Sequence, residues 1–306
     1  MISAPPKLPA DPGELAALGE RADAIRVSCL RTIAALGVGH VGGSMSIVEL
    51  LALLYFRHLR IDPAEPRARD RDWLVLSKGH AGPALYAALA ERGILPRELL
   101  GTLNRGGTSL PSHADRLRTP GVDMSTGSLG QGFSAATGIA LGLRMDGPRA
   151  DGSTKRCWAV IGDGESDEGQ VWEAAAFAAH YGLDNLVAFT DANRFQIDGA
   201  TDSVMGLRDL EAKWAAFGWR TFRVDGHDLA AVDRAILAAC APDARPSAVA
   251  GGGAEGRGRP SMIVLDTVKA KGVPALEGRA ESHNAPFGQA ELEAALASLG
   301  KEAAHA

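Results

Sequence analysis

The stretch that decides the fold is Arg156-Cys157-Trp158-Ala159-Val160-Ile161-Gly162-Asp163-Gly164-Glu165, together with Leu186-Val187-Ala188-Phe189-Thr190-Asp191-Ala192-Asn193-Arg194-Phe195 thirty residues further on. Each begins as a short apolar run and ends in small and polar residues. A run of that length with no polar face is a strand covered on both sides, which places it in a parallel sheet flanked by helices. The helical pattern at 169–181 lies between the two runs, so the segment reads as one strand–helix–strand unit.

Working outward, further strands are predicted at 73–77, 220–224 and 261–268, with helices at 83–91, 129–145, 208–217 and 228–240. Ahead of them, 14–36 reads as a helix stopped by Gly37. Ser46 with Glu49 reads as a capping box for a mostly apolar helix over 47–59, broken at Asp62-Pro63. A terminal helix is predicted over 289–303. The expected fold is α/β, a doubly wound parallel sheet with helices on both faces. Residues 1–13 read as an N-terminal arm and 14–306 as a single domain, in which the low-complexity stretch 244–260 is a flexible surface loop.

Composition narrows the function classes. With 306 residues, 46% hydrophobic and 23% charged, the chain is neither disordered nor fibrous. Its 32 basic and 37 acidic residues give a net charge of −5, so no global basic field exists to hold nucleic acid or an anionic membrane. Cys29, Cys157 and Cys240 match no disulfide framework or zinc-ligand spacing. The proline-bearing N-terminus lacks a signal-peptide core, and no apolar run is long enough to span a bilayer. A soluble, cytoplasmic protein is expected.

Doubly wound sheets bind ligands outside the carboxyl ends of their strands. Asp163 and Asn193 follow successive strands, so they should lie on neighbouring strand ends within reach of one ion. A carboxylate, an amide oxygen and a backbone carbonyl make a hard oxygen set for Mg²⁺ or Ca²⁺, completed by phosphate oxygens of a ligand. The competing reading is a pair of turns, since Gly, Asp and Asn favour turns for conformational reasons alone. Ser125-Thr126-Gly127-Ser128-Leu129-Gly130-Gln131-Gly132 opens a helix and offers either backbone N–H groups to a ligand or a plain cap with packing glycines. His40, His80, His113 and His283 all sit beside Gly, Ser or Pro rather than on apolar faces. Together they suggest a convergent acid/base and donor set without zinc-site spacing.

The segments GHVGGSMSIVELL (39–51), DRDWLVLSKGHAGPALYAALAERG (70–93), TPGVDMSTGSLGQGFSAATGIALG (119–142), GDGESDEGQVWEAAAFAAHYGLDNLVAFTDANRFQIDG (162–199) and FGWRTFRVDGHD (217–228) closely resemble the thiamine-diphosphate-binding N-terminal part of transketolase. The resemblance implies that Asp163, Asn193 and the Phe195 carbonyl hold Mg²⁺ against the diphosphate, with Gly164 donating its N–H. It implies that His80 lies near the diphosphate, Gly127 meets the aminopyrimidine, and Leu129 and Ile197 wedge the cofactor's bent shape. His40, His113 and His283 match substrate-channel histidines that bind ketose hydroxyls and move protons. Glu168 matches an acidic residue linking paired active sites across a dimer. Two departures are visible: Val41 stands where the family has proline, and Ser282 and Asn284 flank His283 where the family often has Trp and Gly.

The resemblance further implies a separate C-terminal subunit, whose pyrimidine-binding domain supplies the activating glutamate, in an α2β2 heterotetramer that works on sugar phosphates. Two alternatives stand beside it. One is a subunit of another thiamine enzyme, of the 2-oxo acid dehydrogenase or 1-deoxyxylulose-phosphate synthase type. The other is a non-catalytic subunit that binds and stabilises a partner.

Overall fold

The computed structural model describes Pro6, residues 8–243 and residues 258–300. Its strands are β1 (Gly37–Gly39), β2 (Trp73–Leu76), β3 (Cys157–Gly162), β4 (Leu186–Ala192), β5 (Phe195–Gln196), β6 (Gly199–Ala200), β7 (Arg220–Asp225), β8 (Ser261–Asp266) and β9 (Ala285–Phe287). The α-helices are α1 (Pro12–Leu36), α2 (Val41–Met45), α3 (Val48–Leu53), α4 (Gly82–Glu91), α5 (Gln131–Met145), α6 (Gly169–His180), α7 (Thr201–Met205), α8 (Leu210–Ala216), α9 (Leu229–Cys240) and α10 (Gln289–Ser298).

The main sheet has the order β2-β3-β4-β8-β7 with every pairing parallel. The two apolar runs at 156–165 and 186–195 supply its neighbours β3 and β4, in register from Cys157 opposite Leu186 to Gly162 opposite Asp191. Both are buried along their whole length, which explains the absence of a polar face. Alternate residues serve two cores. Trp158, Val160, Val187 and Phe189 pack with α1, α3, α4 and α9, whereas Cys157, Ala159, Ile161 and Ala188 pack with Phe133, Val171, Trp214 and Trp219 on the other side. The doubly wound expectation is borne out.

Several local boundaries depart from the sequence reading. The first helix starts at Pro12 rather than 14, because Asp11 and Glu14 form a capping box ahead of it. The predicted 47–59 helix is interrupted: α2 ends with Ser46 as its C-cap, α3 follows, and Leu54–His58 widens into a π-turn. Ser46 does not cap a helix N-terminus; its hydroxyl donates to Asp191 Oδ2 at 2.7 Å, and Glu49 is taken by Arg26 and His227. Long-range partners have overridden a local capping signal. Helix α5 begins at Gln131 because Gly130 holds a φ of +81°, and α10 ends at Ser298, ahead of Gly300 at φ +64°. Residues 244–257 of the predicted loop, residues 301–303 of the predicted terminal helix, and Met1–Pro5 and Lys7 of the arm lie outside the described residues.

Candidate active site

The carboxyl ends of β2, β3, β4 and β8 point to one edge of the sheet, where a cavity of about 290 Å³ is lined by His40, Lys78, His80, His113, Gly127, Leu129, Asp163, Gly164, Asn193, Phe195, Ile197, Lys269 and His283, among others. Thus every candidate residue except Glu168 converges there. Glu168 is the exposed N-cap residue of α6, outside the cavity wall.

Asp163 leaves β3 as the cap of a short 3-10 turn and is held from both sides. Its Oδ1 accepts from Gly164 N at 2.8 Å and its Oδ2 from Arg194 N at 2.6 Å. Asn193 is set by Asp191, which accepts from its Nδ2 at 2.7 Å, so the amide oxygen is the atom turned the other way, toward Phe195 N at 3.2 Å. Asp191 is fully buried and also accepts from Ser46, Lys78 and Thr267. Burial pushes its carboxyl upward, but Lys78, Thr267 and Ser46 outweigh that and hold it below the usual carboxylate range. Burial, reinforced by the neighbouring Asp191 charge, lifts Asp163 to about 6.

The histidines form a touching cluster. Ring centroids lie 5.6 Å apart for His40 and His80, 5.5 Å for His40 with either His113 or His283, and 4.8 Å for His80 and His283. Burial, aided by each other's proximity and by Lys269, lowers His40 and His283 to about 4 and His80 well below the ordinary value. They are therefore neutral near pH 7 and can both accept and donate hydrogen bonds. Burial also pulls Lys269 down to about 8; its Nζ reaches the Phe195 carbonyl at 3.3 Å.

Glycine permits the close approaches. Gly127 has φ +143°, and a Cβ there would meet the His113 ring at 3.1 Å; a Cβ on Gly164 would stand 2.9 Å from Gln196 Oε1. The buried Glu165 ties the two loops together by accepting from Gly130 N at 2.9 Å, Gly162 N at 3.1 Å and the Ser77 hydroxyl.

Sequence reasoning missed Lys78, Asp191 and Lys269 as members of this constellation. Lys78 stands inside the Ser-Lys-Gly-His run, and Asp191 two residues before Asn193, but a buried charge has no signature in the sequence until its partner is known.

The chain matches the family described as "Transketolase, thiamine diphosphate binding domain" over residues 19–306. This chain belongs to the transketolase family. It is 52% identical to a 6-deoxy-6-sulfo-D-fructose transketolase subunit of Clostridium sp. (strain MSTE9) over 287 residues, covering 94% of this chain and 98% of that one. It is 36% identical to an apulose-4-phosphate transketolase subunit of Actinobacillus succinogenes over 265 residues, covering 86% and 88% respectively. The transketolase structure from Campylobacter jejuni superposes with a TM-score of 0.83 at 29% identity, covering 93% of this chain but 43% of that one. The chain therefore spans less than half of that transketolase chain, but 98% and 88% of the two subunit relatives. The expectation of a transketolase-type N-terminal subunit that carries the thiamine-diphosphate-binding part is borne out.

Proposed function

We propose that this chain is the cofactor-binding subunit of a two-chain transketolase that moves a two-carbon ketol unit from a ketose to an aldose. The observation that carries the reading is the meeting, in one cavity, of a hard oxygen set (Asp163, Asn193 and the Phe195 carbonyl) with four histidines. The residues fit a metal diphosphate. Burial holds the Asp163 carboxyl above its usual range and the Lys269 ammonium, in the same cavity, below its own. Gly127 and Gly164 leave bare backbone where side chains would obstruct.

In this reading Asp163, Asn193 and Phe195 hold Mg²⁺, and the Gly164 N–H, His80 and Lys269 hold the diphosphate. Gly127, Leu129 and Ile197 frame the rest of the cofactor, and the exposed side chain of Ile197 presents apolar surface to it. When bound, thiamine diphosphate supplies a carbon nucleophile and an electron sink. His40, His113 and His283 bind sugar hydroxyls and pass protons between them and the reacting oxygens. Glu168 links paired active sites across the assembly in this reading, and its exposure at the start of α6 is compatible with that role. A separate pyrimidine-binding subunit completes the site and supplies the activating glutamate, in an α2β2 assembly of the cytoplasm. The single-domain reading of 14–306 belongs to the same proposal: it follows from one sheet whose two faces are both covered.

The extent of the match to a sulfofructose transketolase subunit favours a ketose whose far end carries an anionic group, sulfonate or phosphate. The test is turnover of this chain co-expressed with its partner, against sulfofructose, apulose 4-phosphate, fructose 6-phosphate and xylulose 5-phosphate, with pyruvate as the control donor. Ketose turnover that needs both chains, and is lost in Asp163→Ala, supports the reading. Turnover of pyruvate instead of the ketoses points to another thiamine enzyme. Absence of Mg²⁺-dependent thiamine diphosphate binding in calorimetry points to a non-catalytic subunit.

A further inference from the structure

The Asp225-Gly226-His227 turn at the end of β7 is not part of the cavity wall, yet Gly226 and His227 tie it to the end of β8 and to the segment that follows. Asp225 Oδ1 accepts from His227 N at 2.8 Å, closing a turn. Gly226 N donates to Asp266 O at 2.8 Å, and a Cβ on Gly226 would stand 2.5 Å from Thr267 Cγ2 and 3.0 Å from Leu265 Cβ, so the two loops touch backbone to side chain. Val268 N donates to His227 Nε2 at 2.9 Å. An imidazole nitrogen that accepts must lack a proton, so His227 carries its proton on Nδ1. That proton points at Glu49 Oε2, 3.1 Å away, and Glu49 is in turn paired with Arg26.

The segment held this way carries two side chains that reach the metal loop. Thr267 donates to Asp191, which orients the Asn193 amide, and Lys269 reaches the Phe195 carbonyl at 3.3 Å. Between and after them the chain is constrained. Ala270 has φ +59°, a left-handed conformation that is strained for a residue with a Cβ. Such a conformation persists only where neighbours over-determine it. Here the neighbours include the His227 ring on the Val268 amide, the Gly42 carbonyl, which accepts from Ala270 N at 3.0 Å, and the turn bonds Lys271 N to Val268 O at 3.2 Å and Gly278 N to Lys269 O at 2.8 Å.

We infer that His227 is a positioning residue: held in its Nδ1–H form by Glu49, it fixes the Val268 amide so that Thr267 and Lys269 hold the 191–195 loop in its metal- and diphosphate-binding arrangement. The inference rests on the proposed cofactor reading for its consequence, but not for its geometry.

The test uses three variants of the full chain, assembled with the pyrimidine-binding subunit, and calorimetric titration of thiamine diphosphate with Mg²⁺. His227→Gln places an amide oxygen where Nε2 stands and still accepts from Val268. His227→Asn offers only the Nδ1-like position, and His227→Leu offers neither. A buried N–H left without an acceptor weakens the arrangement by about tenfold or more. Asn and Leu are expected to raise the dissociation constant by about tenfold or more, and Gln to stay within about threefold of the parent, with turnover at saturating cofactor less affected than affinity. Equal binding by all three, or Gln as weak as Leu in a folded chain, overturns the inference. The ¹⁵N shifts of the His227 ring in the unsubstituted full chain give a variant-free check: the Nδ1–H tautomer is required, and the Nε2–H tautomer overturns the clamp. If the unsubstituted assembly binds no cofactor, the proposed function fails, while the tautomer still decides the clamp.

Discussion

Replacing Asp191 by Asn tests the charge that organises the site without changing the shape of the side chain. Its Oδ2 lies 2.6 Å from Lys78 Nζ, with side-chain exposures of 0% and 1%, so the pair is sealed from water. Removing one partner of a buried ion pair costs about 3–5 kcal/mol, because the remaining charge stays desolvated and uncompensated. Lys78 would keep the Gly43 carbonyl at 2.7 Å and the Ser46 hydroxyl at 3.4 Å, which places Asp191→Asn near the lower end, about 3 kcal/mol. An added penalty arises because Ser46, Lys78, Asn193 and Thr267 all donate to this carboxylate, and an amide returns only one acceptor oxygen to them. Urea unfolding of the full chain, followed by circular dichroism, measures the loss as a shift of midpoint at constant slope. At about 2–4 °C per kcal/mol for large domains, the thermal midpoint should drop by about 6–12 °C. The double variant Asp191→Asn with Lys78→Met removes both charges and should recover about 2 kcal/mol relative to the sum of the singles. A single-variant loss below about 1 kcal/mol, or additive singles, refutes the buried-pair reasoning.

Three further outcomes follow from the same geometry. Because burial and Asp191 lift Asp163 to about 6, a metal must displace a proton from it below that pH, and Mg²⁺-dependent cofactor affinity should fall toward about tenfold per unit as pH drops from 6 to 5; a flat calorimetric profile contradicts this. His40 and His283, at about 4 in the folded chain against an ordinary 6.5, bind fewer protons folded than unfolded between those values, so they remove stability as pH falls through the window. Asp163 opposes them with the reverse sign below about 6, while His80, also lowered, acts with them, so the urea midpoint should fall from pH 7 to 5 in the unsubstituted chain and fall less steeply in the His40→Gln, His283→Gln double variant; the same pH dependence in both refutes the assignment. Gly127→Ala, at φ +143° and 3.1 Å from the His113 ring, should cost about 1–3 kcal/mol in the urea assay and weaken cofactor binding, and unchanged values would show that the loop relaxes freely.

The sheet was legible because its strands are buried on both faces: Cys157 to Gly162 and Leu186 to Ala192 leave no exposed position, and a parallel, twice-covered strand is written that way. The site was legible for a related reason. Asp163 and Asn193 each stand just past the end of a strand, where a carboxylate or an amide has no packing role to fill, so their spacing could be read as chemistry even though both are buried. Ser46 was misread because a hydroxyl three residues before a glutamate carries the same local signal whether it caps a helix or reaches Asp191 across 145 positions of sequence. Lys78, Asp191 and Lys269 were missed for the complementary reason, since in each case the informative fact is a distance between residues far apart in the chain.

These charges also explain why metal and diphosphate belong to one binding event in the proposed reading. Asp191 is neutralised by Lys78, and Glu165 accepts from three donors that tie loops of the protein together. Burial resists the ordinary charge of Asp163 and of Lys269, as it does that of Glu165, pushing the Asp163 carboxyl to about 6 and the Lys269 ammonium to about 8. A cation alone would relieve Asp163 while adding positive charge beside Lys269. An anion alone would relieve Lys269 while adding negative charge beside Asp163. Only a ligand that brings both charges, as a metal diphosphate does, relieves both without a new repulsion, so the two components should each bind more tightly in the other's presence by the same factor. In the proposed reading, selectivity for a metal-bound diphosphate thus comes from desolvation, with Asp163 and Lys269 left in one cavity beside the paired Asp191 and Lys78.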